Sequence, residues 1–283
     1  GRVLFLTDNP ENNVVILSPG GELVETWTAR MPGAHGLTRA EAGGREVLFI
    51  TDTALHEVRK LTIKGDELLH LPWPEKTGFY KAAAEYRPSK VLLSPKDGEF
   101  YVFDGYGKDY VHHYAADGTL IRSWGGTIGE GENQLAHFGP HGGVVDTRDP
   151  GNPVVFVCMS DKQEVKRFTL EGRFIDKFAM PGGNPRDAVI FGEYMFVPHL
   201  GDQWPKDKNA PGFVSVLDRN NRVVSNIGGS APEYDASGNL QPMHSTGAPF
   251  IHPHGVTVDA EGNLYVAQFS SPAAPLLKFE RIK

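Results

Sequence analysis

A short apolar strand that ends in or near an aspartate recurs along this chain, and this repeat restricts the fold more than any other feature. Its six copies are residues 3–8, 47–52, 100–104, 154–161, 194–201 and 264–268. A second alternating strand follows each copy, at residues 14–17, 57–63, 110–115, 164–170, 213–218 and 276–280. Repeats of about 40 to 50 residues built from short strands and turns are typical of β-propellers, with one four-stranded blade per repeat. The sequence therefore predicts an all-β fold, a six-bladed β-propeller that forms a single domain over residues 1–283.

The two ends of the repeat pattern differ from its middle. The first repeat begins at what would be its second strand, and the sixth repeat stops after its third strand. Two strands needed to complete a ring are therefore not evident. We expect an upstream segment, and because such a segment has room for a secretion signal, we expect a secreted or periplasmic protein.

Charge and composition exclude several classes of partner. The chain carries 28 Lys and Arg against 35 Asp and Glu, a formal net charge of -7, which argues against a nucleic-acid partner. No apolar stretch is long enough for a membrane span. The single cysteine, Cys158, excludes an internal disulfide. We expect a monomer that acts on a small molecule or a peptide.

Three histidines stand at equivalent places in alternate repeats. His35, His141 and His254 are separated by 106 and 113 residues, and each is followed by glycine and the start of an apolar strand. Because alternate blades of a six-bladed propeller are related by about 120°, these imidazoles should face one point. Three imidazoles with an open fourth position are a usual arrangement for catalytic zinc, although imidazole also suits iron and copper. The spacing therefore predicts a metal site, with zinc as the first choice.

Two further side chains are candidates for the same face. Tyr106 lies in the loop after the second strand of the third repeat, a loop that should open beside the histidines. Arg186 takes, in the fifth repeat, the place that histidine has in its neighbours. We interpret it as a ligand for a substrate carboxylate, and the alternative is a structural charge paired with Asp187.

Long loops before the sixth repeat supply the remaining candidates. His199 and Gln203 lie in the segment 198–212, and His252 lies in the segment 229–253. Long irregular loops on one face of a rigid scaffold are where binding sites usually lie, so we predict substrate contacts for these three side chains. The alternatives are ordinary polar loop residues or, for a histidine, a fourth metal ligand that would close the site.

Several motifs together resemble a known family. They are His35-Gly36-Leu37, residues 51–58, Asp104-Gly105-Tyr106, Trp124-Gly125, Pro140-His141, Gly201-Asp202-Gln203 and Pro253-His254. In this order, and over nearly the whole chain, they resemble the lyase half of peptidylglycine α-amidating enzymes, peptidylamidoglycolate lyase, a propeller of the NHL type.

The resemblance implies a specific chemistry. It implies zinc on His35, His141 and His254, Tyr106 as the catalytic base, and cleavage of a C-terminal α-hydroxyglycine into an amide and glyoxylate. Since a free tyrosine has a pKa of about 10, a positive charge nearby would be needed for Tyr106 to act as a base near neutral pH.

The chain also departs from the family pattern. His252 stands where the family has methionine, and Gly255 stands where it has an aspartate used for a structural calcium. His199 is an added imidazole, and a catalytic arginine expected upstream of the first blade falls outside this chain. These differences leave the predicted metal ligands in place and give no support for a structural calcium. Their main effect is on which substrate the protein would accept.

Two alternatives to this lyase stay open. One is a related metal-dependent lyase or hydrolase that acts on another small substrate. The other is a non-catalytic propeller that binds a peptide, a sugar or a protein and uses the metal for structure only. Zinc analysis combined with an assay for glyoxylate release separates all three.

Overall fold

A computed structural model describes residues 1–96, 98–128, 130–136, 139–201, 206–269 and 275–282. The chain divides into two compact units, Gly1–Pro140 and His141–Lys283, and each is described by itself. The expectation of a single domain over the whole chain stays a prediction.

The first unit consists of three antiparallel sheets in which consecutive strands pair. The three-stranded sheet contains β1 (Val3–Leu6), β2 (Val14–Leu17) and β3 (Leu23–Trp27). The next contains β4 (Ala34–Ala42), β5 (Arg45–Asp52), β6 (Glu57–Thr62) and β7 (Glu67–Pro72). The last contains β8 (Lys90–Leu93), β9 (Phe100–Phe103), β10 (Tyr110–Tyr114) and β11 (Leu120–Gly125).

The second unit repeats this organisation with two four-stranded sheets and one three-stranded sheet. The first contains β12 (Pro140–Asp146), β13 (Val154–Met159), β14 (Glu164–Thr169) and β15 (Phe174–Ala179). The next contains β16 (Val189–Phe191), β17 (Tyr194–His199), β18 (Phe213–Leu217) and β19 (Val223–Ile227). The last contains β20 (Pro253–Val258), β21 (Leu264–Gln268) and β22 (Leu276–Phe279).

The hairpin turns follow from local sequence. At the turn before Asn263, the Asp259 carboxylate accepts hydrogen bonds from the backbone N–H groups of Glu261, at 3.1 Å, and Asn263, at 2.8 Å. Gly262 in the same turn has φ 90°, a left-handed conformation that glycine adopts without a steric penalty. Such aspartate and glycine turns fix the register of each hairpin.

Burial increases toward the middle strands of each sheet. Every residue of β9 is buried, whereas four of the five residues of β3 are exposed. In the second unit, Val155 and Phe156 of β13 pack at 0 % exposure. Removing each such side chain from water contributes about 1.5–3 kcal/mol to folding, so the middle strands carry most of the stability.

The predicted strands agree with those observed. The second strands of the repeats begin at the predicted residue and end within one residue of the predicted end, and the first and last sheets have three strands each. The described helices are 3₁₀ turns, at Glu75–Thr77, Ala83–Glu85, Gly131–Asn133 and Ser160–Lys162. Within the described ranges, no helix has the length and apolar character needed to cross a membrane.

Candidate metal centre

In the first unit, backbone contacts fix the orientation of the His35 ring. His35 is the second residue of β4, and its Nδ1 donates a hydrogen bond to the Ser89 carbonyl at 2.8 Å. Since a carbonyl oxygen only accepts, Nδ1 carries the proton and Nε2 keeps its lone pair, as in most metal-binding histidines. The Tyr106 hydroxyl donates to this Nε2 at 3.0 Å. The two rings meet edge to face, with centroids 5.0 Å apart.

The glycine after His35 is required by close packing. A Cβ at Gly36 would lie 2.4 Å from the Ser89 carbonyl oxygen, well inside van der Waals contact. The Gly36 N–H also donates to the Thr51 hydroxyl at 2.8 Å. The same carbonyl therefore orients His35 and leaves no room for a side chain at the next residue.

The turn that carries Tyr106 is tied to the segment before β8. The Tyr106 N–H donates to the Arg87 carbonyl at 3.3 Å, and the Gly105 N–H donates to the Ser89 hydroxyl at 3.3 Å. The Asp104 carboxylate accepts from the N–H groups of Arg87 and Lys108, both at 2.7 Å. Asp104 is fully buried, and this burial raises its pKa to about 7 against the opposing effect of its hydrogen bonds. The turn is therefore held from both sides.

In the second unit, His141 repeats the arrangement of His35. Its Nδ1 donates to the Arg186 carbonyl at 2.8 Å, which again leaves Nε2 unprotonated. A Cβ at Gly142 would lie 2.5 Å from the same oxygen. Opposite His141 lies the ring of His254, edge to face with centroids 4.6 Å apart. This unit therefore contributes two imidazoles at one place.

The three predicted histidines are divided between the two units: His35 lies in the first, and His141 and His254 lie in the second. Within the second unit the structure brings the rings of His141 and His254 together. A site that joins all three imidazoles on one zinc ion, the usual number of protein ligands in a catalytic zinc site, stays a prediction.

Two other predicted site residues, Arg186 and His252, are more buried than the sequence suggested. Arg186 is 7 % exposed, and its backbone carbonyl and N–H bond to His141 and Pro198. His252 is fully buried, and its Nε2 donates to the Asp207 carbonyl at 2.8 Å. Gln203 lies outside the described residues. Substrate contacts for these three side chains stay predictions.

His199 belongs to a strand rather than to an open loop. It ends β17 at 0 % exposure, its ring stacks on Phe213 with centroids 4.4 Å apart, and its Nε2 lies 2.9 Å from the Ser215 hydroxyl. Burial lowers its pKa to about 3, so the ring is neutral. This packing accounts for a histidine at position 199 without any bound ligand. The predicted contact of His199 with a substrate stays a prediction.

Sequence reasoning missed Arg87. Its guanidinium lies over the Tyr106 ring, 5.9 Å from the ring centroid, and the residue is exposed. The available signal was its place directly before Pro88, at the entrance to an inner strand, two residues from Ser89, which takes the place that histidine has in the neighbouring repeats.

Comparisons with known proteins give a partial sequence similarity. No protein family model matches the chain. Over 125 residues, 41% of this chain, it is 30% identical to peptidyl-glycine alpha-amidating monooxygenase A of Xenopus laevis. Over 125 residues it is 29% identical to the B form from the same organism. The chain spans only 12% and 13% of the length of these two relatives.

Comparisons with solved structures extend over almost the whole chain. A protein of unknown function from Bacteroides caccae is similar with a TM-score of 0.63 at 13% identity, covering 99% of this chain and 90% of that one. A streptogramin B lyase gives 0.60 at 13% identity, covering 95% and 87%. A chain of a nidogen/laminin complex gives 0.60 at 13% identity, covering 99% and 89%. At this identity the likeness concerns the fold alone, and the chain is a six-bladed β-propeller.

Proposed function

We propose that this propeller is a zinc-dependent lyase that cleaves a C-terminal α-hydroxyglycine into an amide and glyoxylate. One observation carries the proposal: the Tyr106 hydroxyl lies 3.0 Å from Nε2 of His35, which the sequence predicts as a metal ligand together with His141 and His254. The partial similarity to peptidyl-glycine alpha-amidating monooxygenases supports the substrate class.

The histidines are suited to bind the metal with one position left over. His35 and His141 each use Nδ1 on a backbone carbonyl, so each presents Nε2. His254 supplies the third imidazole. Three protein ligands are the usual number in catalytic zinc sites, whereas structural sites have four. A bound Zn²⁺ supplies Lewis acidity, which lowers the pKa of a hydroxyl group at the open position.

Tyr106 is placed to move the proton. Its hydroxyl already lies beside a ligand nitrogen, so a substrate hydroxyl at the open position would be within its reach. Tyr106 accepts the proton of that hydroxyl. The electron pair of the O–H bond forms the C=O bond of glyoxylate while the C–N bond breaks. The amide nitrogen then takes back the proton from Tyr106, so protons and electrons balance.

Metal analysis and a product assay on the purified protein test this function. We expect one zinc per chain and equimolar release of benzamide and glyoxylate from α-hydroxyhippurate, with activity lost on chelation and restored by zinc. His244→Ala is the matched control for histidine substitution because His244 is exposed and lies outside the triad. Zinc without glyoxylate release would instead favour a lyase or hydrolase of another substrate. A protein that binds no metal would favour the non-catalytic propeller.

A further inference from the structure

We propose that Arg87 binds the carboxylate of the substrate and so determines the preference for acids over their neutral amides. This inference rests on the proposed function, since it assigns a residue to one end of that substrate. It concerns a side chain next to the proposed base, on a segment that also orients a proposed metal ligand.

The guanidinium of Arg87 is available for a ligand. The residue is exposed, and among the described residues its guanidinium makes no hydrogen bond or ion pair. It lies over the Tyr106 ring, at 5.9 Å from the centroid. By contrast, Arg148 and Arg167 are each paired with a neighbouring carboxylate, Asp146 and Asp176 respectively. A guanidinium beside the proposed base therefore keeps its hydrogen-bond donors for another partner.

The backbone holds Arg87 firmly. Its N–H donates to Asp104 at 2.7 Å, and its carbonyl accepts from Tyr106 at 3.3 Å. Pro88 follows and restricts Arg87 to an extended backbone conformation. Two residues on, the Ser89 carbonyl orients His35. One three-residue segment therefore positions the proposed base, a proposed metal ligand and this guanidinium, and the side chain needs only a rotamer change to face a substrate.

The chemistry of the substrate requires such a cation. An α-hydroxyglycine ends in a carboxylate, and the chain has a net charge of -7, which opposes the approach of an anion. Arginine matches carboxylate geometry with two parallel hydrogen bonds. The earlier candidate, Arg186, is only 7 % exposed and lies among backbone contacts. Arg87 is therefore the better placed of the two.

A pair of substrates separates carboxylate recognition from a general loss of activity. We compare α-hydroxyhippurate with its primary amide, using wild type, Arg87→Gln, Arg87→Lys and the control Arg45→Gln, which alters an exposed arginine on β5. In Arg87→Gln we expect the preference in kcat/KM for the acid to fall about 10- to 100-fold, mainly through KM, because the variant loses a charge-assisted hydrogen bond to the carboxylate. Arg87→Lys should retain part of the preference, and Arg45→Gln all of it. Equal effects on both substrates, or none, would overturn the proposal.

Calorimetric titration of zinc-loaded protein with glyoxylate provides a readout that does not depend on turnover. We expect the dissociation constant for glyoxylate to rise about tenfold or more in Arg87→Gln and to be unchanged in Arg45→Gln. If wild type releases no glyoxylate in the assay, the proposed lyase fails, and this titration alone decides the role of Arg87. Equal glyoxylate binding by wild type and Arg87→Gln, or none by either, would contradict it.

Discussion

His35-Gly36 in the first unit and His141-Gly142 in the second begin their strands in the same way. In both, Nδ1 donates to a carbonyl at 2.8 Å, and a Cβ on the following glycine would lie 2.4 or 2.5 Å from that oxygen. The difference lies in the side chain opposite: Nε2 of His35 accepts a hydrogen bond from the Tyr106 hydroxyl, whereas the His141 ring meets the ring of His254 edge to face. The shared backbone arrangement therefore orients a proposed metal ligand in each unit, and the side chain opposite is the proposed base in the first and a second proposed ligand in the second.

The third pair, His254-Gly255, lacks the tight glycine. A Cβ at Gly255 would meet only the Cβ of Ala267, at 3.7 Å, an ordinary contact. The glycine there is not required by packing. This pair therefore serves as an internal control for the other two.

Replacing Tyr106 tests whether the hydroxyl opposite His35 distinguishes the first unit from the second. Of the substitutions considered, it has the largest expected effect on activity. Tyr106→Phe removes the hydroxyl next to His35 Nε2 and keeps the ring. We expect kcat for glyoxylate release to fall about 10²- to 10⁴-fold, the usual contribution of general acid–base catalysis, while zinc content stays at the wild-type level. Steady-state kinetics and metal analysis check this. Full activity in Tyr106→Phe would mean that the unit containing His35 supplies no base.

Alanine substitutions at Gly36 and Gly142 test the backbone arrangement that the two units share. Gly36→Ala and Gly142→Ala each place a methyl group against a backbone carbonyl, so we expect a loss of about 1–3 kcal/mol in the free energy of unfolding, together with weaker zinc binding. Gly255→Ala should change stability by less than about 0.5 kcal/mol. Denaturant unfolding and zinc titration measure both quantities. Equal losses at all three positions would show that the glycines are not distinguished by the carbonyl contact.

One buried neutral histidine in each unit predicts a smaller, pH-dependent effect. Burial lowers the pKa of His112, in the first unit, and of His199, in the second, to about 3. The unfolded chain, with a histidine pKa of about 6.5, binds protons first, so this contribution is fully present above pH 6.5 and is lost as pH falls toward the folded values. At pH 5.5 the loss is about 1.4 kcal/mol for each histidine relative to high pH.

Glutamine variants isolate that contribution. Urea unfolding at pH 7.5 and 5.5 should show a smaller pH-dependent loss in His112→Gln and in His199→Gln than in wild type, whatever the cost of either substitution at pH 7.5. His244→Gln, an exposed position, should follow wild type. If His199→Gln keeps the full pH dependence, His199 is not a buried neutral group in the folded protein.

The features that recur in every repeat could be predicted from the sequence, whereas residues with a unique local environment were missed. Strand alternation and turn residues recur in every repeat, so the strands could be inferred from spacing. The convergence of the three histidines rests on the same spacing and stays a prediction. His199 follows Pro198, which suggested an open loop, but β17 continues through both and pairs with β18, so the imidazole enters the interior. Arg87 was missed because an exposed arginine before a proline has no periodic pattern, and only its backbone contacts with Asp104 and Tyr106 give it meaning.

The central claim is that three distant histidines bind one cation, and anomalous diffraction at the zinc edge from crystals of the zinc-loaded protein tests it most directly. We predict a single strong peak about 2.0–2.1 Å from one nitrogen each of His35, His141 and His254, with the Tyr106 hydroxyl nearby. A zinc peak held by other side chains, or no peak among these imidazoles, would contradict the account.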